Sequence, residues 1–299
     1  MKSRAAVGPL QLTLGVRLAD LLELTKPRIT LMVVLTAGIG ILLASRGELA
    51  PTLVLHALLG TGLVSAGASA LNHVLERDLD ALMRRTANRP LPAGRMTANA
   101  ALFFGVALAV AGLFELTLAV NLLTALLGAL ALAGYIFLYT PLKRVSPLAT
   151  IIGAVPGAIP PVMGWTAVTE RIDPGAWVLF GILFLWQRPH FLAIAWMCRD
   201  AYARAGFLML PGVNSDGRST ARQMILFGSA LVPTSLLPSV LGLTGATYTL
   251  GAIVLGFFFL ASCVAFALSY SAAAARRVLL VSVFYLPAVL AVMVLDRMS

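Results

Sequence analysis

The sequence predicts an all-α membrane protein, a polytopic helical bundle of nine transmembrane helices around a central cavity. Three observations predict it. Hydrophobic residues fill 60% of the 299 positions and charged residues only 11%, outside the range of soluble domains. Mean hydropathy is +0.93, and apolar runs recur near the ~20 residues a helix needs to cross a bilayer. Lipid offers the backbone no hydrogen-bond partners, so such runs resolve into helices. Finally, the 22 Lys and Arg residues gather in alternate loops. In a soluble chain a net charge of +10 would suggest a nucleic-acid partner. The alternation follows the positive-inside rule instead, and no nucleic acid is expected.

Taken in order, residues 1–26 form a cytoplasmic N-terminal segment without a cleavable signal pattern. Leucines and valines beside Arg17, Asp20 and Glu23 make residues 9–24 an interfacial amphipathic helix. Pro27 suits the first turn of the first span. The nine spans are read as 28–45, 52–75, 97–115, 119–139, 148–168, 175–196, 222–240, 246–270 and 277–295. A very short turn near Leu116–Ala119 joins the third and fourth, and Pro233 and Pro238 interrupt the seventh. All 299 residues then form one transmembrane domain. Eighteen Lys and Arg fall in the segments placed inside, against Arg46, Arg171 and Arg297 outside. This sets the N-terminus in the cytoplasm and the C-terminus outside a bacterial inner membrane. Polar loops after the second and sixth spans hint at two related halves of four spans each. Cys198 and Cys263 show neither pairing nor metal spacing and read as structural.

Chemistry concentrates in Asn72–Arg95, NHVLERDLDALMRRTANRPLPAGR. On a helix, Asn72, Glu76 and Asp80 are spaced four and four and share about 80° of arc, a column about 12 Å long. Asp78 falls on another face. An amide and two carboxylates suit Mg²⁺, which commonly takes one or two carboxylates and completes its shell with water and substrate phosphates. Arg84, Arg85, Arg89 and Arg95 follow, as a diphosphate site needs. The alternative, a solvated loop that only sets topology, weighs about equally for the arginines. It weighs less for Asn72 and Glu76, because polar groups at the end of an apolar helix are costly.

Lys143 and Arg144 close span four as a second diphosphate-binding pair or as a topology anchor. Gly153–Trp165 (GAVPGAIPPVMGW) reads as a kinked, cavity-lining helix or as tight packing. His190, in Trp186-Gln187-Arg188-Pro189-His190-Phe191, reads as a haem-iron or propionate ligand or as a packed core histidine, and His73 is open in the same way. Asp200, beside Tyr202 and Arg204, reads as a partner for a second Mg²⁺ or as a local ion pair with Arg199 or Arg204.

These segments resemble the protohaem IX farnesyltransferases (haem O synthases), within the intramembrane prenyltransferases typified by 4-hydroxybenzoate polyprenyltransferase. The resemblance rests on LTKPRIT at 24–30, the 72–95 stretch, YTPLKR at 139–144, the glycine-proline span, WQRPHF at 186–191 and AYARAGFLMLP at 201–211. Asn72, Glu76 and Asp80 match the superfamily's first motif, with Glu for its middle Asp. The loop's usual Asp-Tyr pair is here Ala201-Tyr202, with Asp200 one place earlier.

The resemblance implies transfer of a farnesyl group from farnesyl diphosphate to a haem B vinyl group, giving haem O. It implies Mg²⁺ on Asn72, Glu76, Asp80 and Asp200, and diphosphate on Arg85, Arg89, Lys143 and Arg144. It places His73, Tyr139, Trp186, His190 and Tyr202 along the haem or cavity wall, with Tyr139, Trp165 and Trp186 facing the allylic cation. The implied partners are the lipid bilayer and either haem A synthase or terminal-oxidase assembly factors. Two rivals stay open: a prenyltransferase for a quinone precursor, and a transporter. WQRPHF and RTANRPL count against the first. Charges at the mouth rather than the midplane count against the second.

Overall fold

The computed structural model describes residues 17–45 and 47–298. The first part of the expected interfacial helix, residues 9–16, lies outside them, as does Arg46. What is described of it is a helix over Leu18–Leu24. Among the described residues nine helices are long and apolar enough to span a bilayer. They are α1 (Pro27–Ala44), α2 (Pro51–Leu75), α3 (Ala98–Ala119), α4 (Leu122–Leu142), α5 (Ala149–Thr169), α6 (Pro174–Met197), α7 (Arg218–Val240), α8 (Ala246–Ser269) and α9 (Ala272–Leu295).

Local chemistry sets where each begins. Proline occupies the first turn of α1, α2 and α6, where its missing N–H leaves no bond unmade. Side chains of Thr97, Asn121, Asp173 and Ser271 accept from the first free backbone amides of α3, α4, α6 and α9. The Asn121 cap moves the α3–α4 turn to Val120–Asn121, beyond the expected Leu116–Ala119. Asn121 also donates to the Thr166 carbonyl at 2.9 Å, which ties the turn to α5. α7 breaks at Ser235–Leu236 between its two prolines, as expected.

α4 is not regular. Its Gly134–Tyr139 turn is a π-helix. Pro141 has no N–H and its ring crowds the carbonyl four residues back, so the helix widens ahead of it. This turn carries Tyr139 and leads directly to Lys143.

Helices α1–α5 form one half and α6–α9 the other, joined where α5 packs on α6. Small residues set the closest seams. A Cβ on Gly67 of α2 would come within 2.7 Å of the Ala109 amide nitrogen of α3, and one on Gly164 of α5 would overlap the Ala37 carbonyl of α1. α5 is the most enclosed span. α1 and α9 meet only lightly. A cavity of about 290 Å³ lies between Leu43, Ala44, Trp165, Thr169 and Leu243. It sits at the far end of the bundle from the Asn72–Arg95 loop.

Candidate functional site

The Asn72–Arg95 motif closes α2. Asn72, Glu76 and Asp80 are all buried, at 1%, 7% and 1% exposure. They do not lie on one continuous helix: α2 ends at Leu75, Glu76 adopts φ −98° and ψ 4°, and a new turn runs Arg77–Asp80. The column survives the break because the four-residue hydrogen bonds persist. Glu76 N–H donates to the Asn72 carbonyl at 3.0 Å, and Asp80 N–H to the Glu76 carbonyl at 2.8 Å. Asp78 faces outward, 82% exposed, and pairs with Arg77 at 2.8 Å.

Three cations meet this column. Lys26 Nζ donates to Asn72 Oδ1 at 2.8 Å, Lys143 Nζ to Glu76 Oε1 at 2.6 Å, and Arg89 Nη1 to Asp80 Oδ2 at 2.7 Å. Asn72 Nδ2 donates to Thr140 Oγ1 at 3.2 Å. Lys143 also lies 4.3 Å from the centroid of the Tyr139 ring. Burial, with Arg89 and Lys143 close by, lowers the Lys26 amine to about 7. Burial also works against charge on Lys143, but Tyr139 and Glu76 beside it outweigh burial and hold it above the ordinary lysine value. One acceptor is left over. Asp80 Oδ1 is buried with no hydrogen-bond partner among the described residues. A buried carboxylate oxygen without a donor is costly, and it is the kind of group a hard cation satisfies. The residues present fit Mg²⁺ at this free oxygen, while the neighbouring Asn72 and Glu76 oxygens accept from Lys26 and Lys143.

The remaining expected residues divide. Arg85 Nη2 donates to the Tyr202 hydroxyl at 2.9 Å, with its guanidinium over the Tyr202 ring, so the second loop does reach the first. Arg84 and Arg144 are exposed. Arg95 is spent on structure: it pairs with Asp20 at 2.7 Å and Glu23 at 3.0 Å, anchoring the Leu18–Leu24 helix to the loop. His73 is buried beside Asn72 with both ring nitrogens unpartnered among the described residues. Trp186 and His190 stand apart, on the α6–α9 seam. Trp186 Nε1 donates to the Ser282 carbonyl at 2.8 Å, His190 Nδ1 lies 2.7 Å from Ser282 Oγ, and the two rings stack. Trp165, expected to face a cation at the motif, instead lies beside the far-end cavity, four residues from the close of α5.

Asp200 does not join the buried column. It is 80% exposed and pairs with Arg199 at 3.7 Å. Among the described residues no three of His, Cys, Asp and Glu gather as metal ligands. The reason lies in a local repeat. Cys198 ends α6 with φ −106° and ψ 12°, close to the Glu76 values, and is followed by a short helix that opens Arg199-Asp200 as the first opens Arg77-Asp78. Asp200 therefore corresponds to outward-facing Asp78, and Tyr202 to inward-facing Asp80. Lys26 and Thr140 went unread as site residues. The one signal for Lys26 was its place directly before Pro27; its backbone is left-handed, at φ 46°.

A family model described as the UbiA prenyltransferase family matches residues 33–287. The chain belongs to the UbiA prenyltransferase family. A relative called protoheme IX farnesyltransferase from Solibacter usitatus is 50% identical over 93% of this chain and 98% of its own. One of the same name from Koribacter versatilis is 45% identical over 94% of each. Among solved structures, a digeranylgeranylglyceryl phosphate synthase superposes with a TM-score of 0.79 at 18% identity over 93% of this chain and 98% of its own. A UbiA homologue from Archaeoglobus fulgidus bound to DMAPP and Mg²⁺ superposes with 0.65 at 15% identity, covering 92% and 99%. These structures show that the UbiA fold is shared.

Proposed function

We propose that the chain is a protohaem IX farnesyltransferase, moving a farnesyl group from farnesyl diphosphate to a vinyl group of haem B to give haem O. The observation that carries the chemistry is Asp80: a buried carboxylate with one oxygen on Arg89 and the other unpartnered, within a cluster that also holds Lys26 and Lys143. The names of the relatives carry the acceptor.

Asn72, Glu76 and Asp80 would hold Mg²⁺, which when bound supplies Lewis-acid neutralisation of the diphosphate. Lys26, Lys143 and Arg89 now donate to the column, and the same donors take up the diphosphate oxygens as they gain charge. Arg85 adds a charge at the mouth, held there by Tyr202, and exposed Arg144 supplies a second outer charge. The carbon–oxygen bond at farnesyl C1 breaks and the diphosphate leaves with the electron pair. Tyr139 presents its ring beside Lys143, where a developing allylic cation is stabilised by the aromatic face. The vinyl terminal carbon then bonds to C1. Water adds to the resulting cation and loses a proton, leaving a hydroxyethylfarnesyl group. Trp186 and His190, on the α6–α9 seam, serve the haem side, and His73 lines the wall next to Asn72. Asp200, exposed and paired with Arg199, stands outside this set.

The loops rich in Lys and Arg support a motif on the cytoplasmic face of a bacterial inner membrane, with the C-terminus outside. Haem A synthase or oxidase assembly factors would receive the product. Purified protein with haem B, farnesyl diphosphate and Mg²⁺ tests the reading by pigment analysis. Haem O supports it. Prenylation of a quinone precursor with no haem O refutes it.

A further inference from the structure

Arg188 of α6 is a cation that the diphosphate chemistry does not use. Its side chain is 1% exposed, and its neighbours are neutral. Nη1 donates to Thr150 Oγ1 of α5, while Nε and Nη2 donate to Gln223 Oε1 of α7, the Nε bond at 3.0 Å. The Phe227 ring lies 5.8 Å away. A guanidinium carries five N–H donors, so two remain, one on each terminal nitrogen.

Among the described residues no carboxylate pairs with this charge. Beyond α4 the acidic residues are Glu170, Asp173, Asp200, Asp216 and Asp296. Glu170, Asp173 and Asp296 sit at the far end of the bundle, and Asp200 and Asp216 lie in exposed loops. The charged partners of the described acids are all residues other than Arg188. A second buried polar group waits on the same helix face. Thr220 lies three residues before Gln223 on α7, is 0% exposed, and its hydroxyl has no partner among the described residues. A buried charge within a membrane span is costly unless paired and is a functional candidate by default. Two free guanidinium donors and a free hydroxyl on one seam call for an anion with two oxygens, which matches the fork geometry of arginine with a carboxylate.

We propose that Arg188, with Thr150, Gln223 and Thr220, forms a carboxylate-binding site that holds a propionate of the haem acceptor. This rests on the acceptor reading above. The porphyrin is apolar except for its two propionates, so a lone buried cation on the acceptor half orients it. The site is also positioned for this. Thr150 and Gly153 are neighbours on one face of α5, and a Cβ on Gly153 would run into the Tyr139 ring, which covers Lys143. The anion site and the diphosphate cluster thus flank the first turn of α5, one for each substrate.

The test is a Soret titration of purified protein with haem B and with its dimethyl ester, which lacks both carboxylates. Wild type should prefer haem B by about tenfold or more, the scale of a charge-assisted carboxylate contact. Arg188→Met should abolish that preference, with the ester's affinity and the binding of farnesyl diphosphate unchanged. Arg188→Lys should retain part of it. Equal affinity of wild type for acid and ester overturns the proposal whatever the variants do. So does an equal loss of both ligands in a folded Arg188→Lys, which makes the residue structural. If wild type makes haem O without discriminating, only this proposal fails. If it neither binds nor prenylates haem, the acceptor reading fails and takes this site with it.

Discussion

Glu76 and Lys143 make the sharpest test of the buried cluster, because the pair is expected to separate stability from turnover. The contact is 2.6 Å, and both side chains are about nine-tenths buried. At an effective dielectric of about 20, unit charges at that distance attract by about 6 kcal/mol, most of it offset by the cost of removing both from water. Deleting one partner leaves the other charge buried alone. Glu76→Leu or Lys143→Met should therefore each lose about 3–5 kcal/mol. The double variant should recover most of that loss, because two apolar groups of similar volume replace a pair that is close to neutral overall. Met also keeps the contact with the Tyr139 ring. Reversible unfolding in detergent measures the three variants against wild type, and haem O formation measures turnover. The expected result is a folded, inactive double variant with a coupling energy of about 3 kcal/mol or more. Additive losses would show that the two charges are not coupled, and the close contact would then carry no argument about the site. A double variant that turns over would remove Glu76 from the metal set.

Asp80→Ala should abolish turnover, whereas Asp78→Ala, which alters an exposed group, should change it less than about threefold; equal damage would contradict the inward and outward assignment of the two. Arg89→Ala should weaken farnesyl diphosphate binding by about tenfold or more with haem binding unchanged, and parallel losses in two titrations would reduce Arg89 to a loop residue. Asp200→Ala should leave the Mg²⁺ dependence of haem O formation where it is in wild type, because its place in the loop matches Asp78; a shifted Mg²⁺ curve would restore it as a ligand. Reporter fusions at Ser299 and near Asn88 should report opposite sides of the membrane, and a common side would break the topology.

How much of this was legible in the sequence follows from the range of each interaction. Span number and class follow from apolar run length, because lipid forces each run to satisfy its own backbone. The Asn72, Glu76 and Asp80 column was legible because four-residue spacing is a property of the helix itself, and it persists through the break at Glu76. Prolines 27, 233 and 238 acted locally and where expected. The residues that complete the site come from elsewhere in the chain. Lys26 reaches Asn72 across 46 positions and Lys143 reaches Glu76 across 67; spacing carries no information at that separation. The sequence left Asp200 open between a metal partner and a local ion pair, and the backbone turn at Cys198 is what leaves it exposed beside Arg199 while Tyr202 meets Arg85. In the sequence Arg188 is one residue of the WQRPHF segment. Its isolation became visible only once α5, α6 and α7 had closed around it, because whether a charge is compensated depends on which helices pack there, a property of the tertiary structure alone.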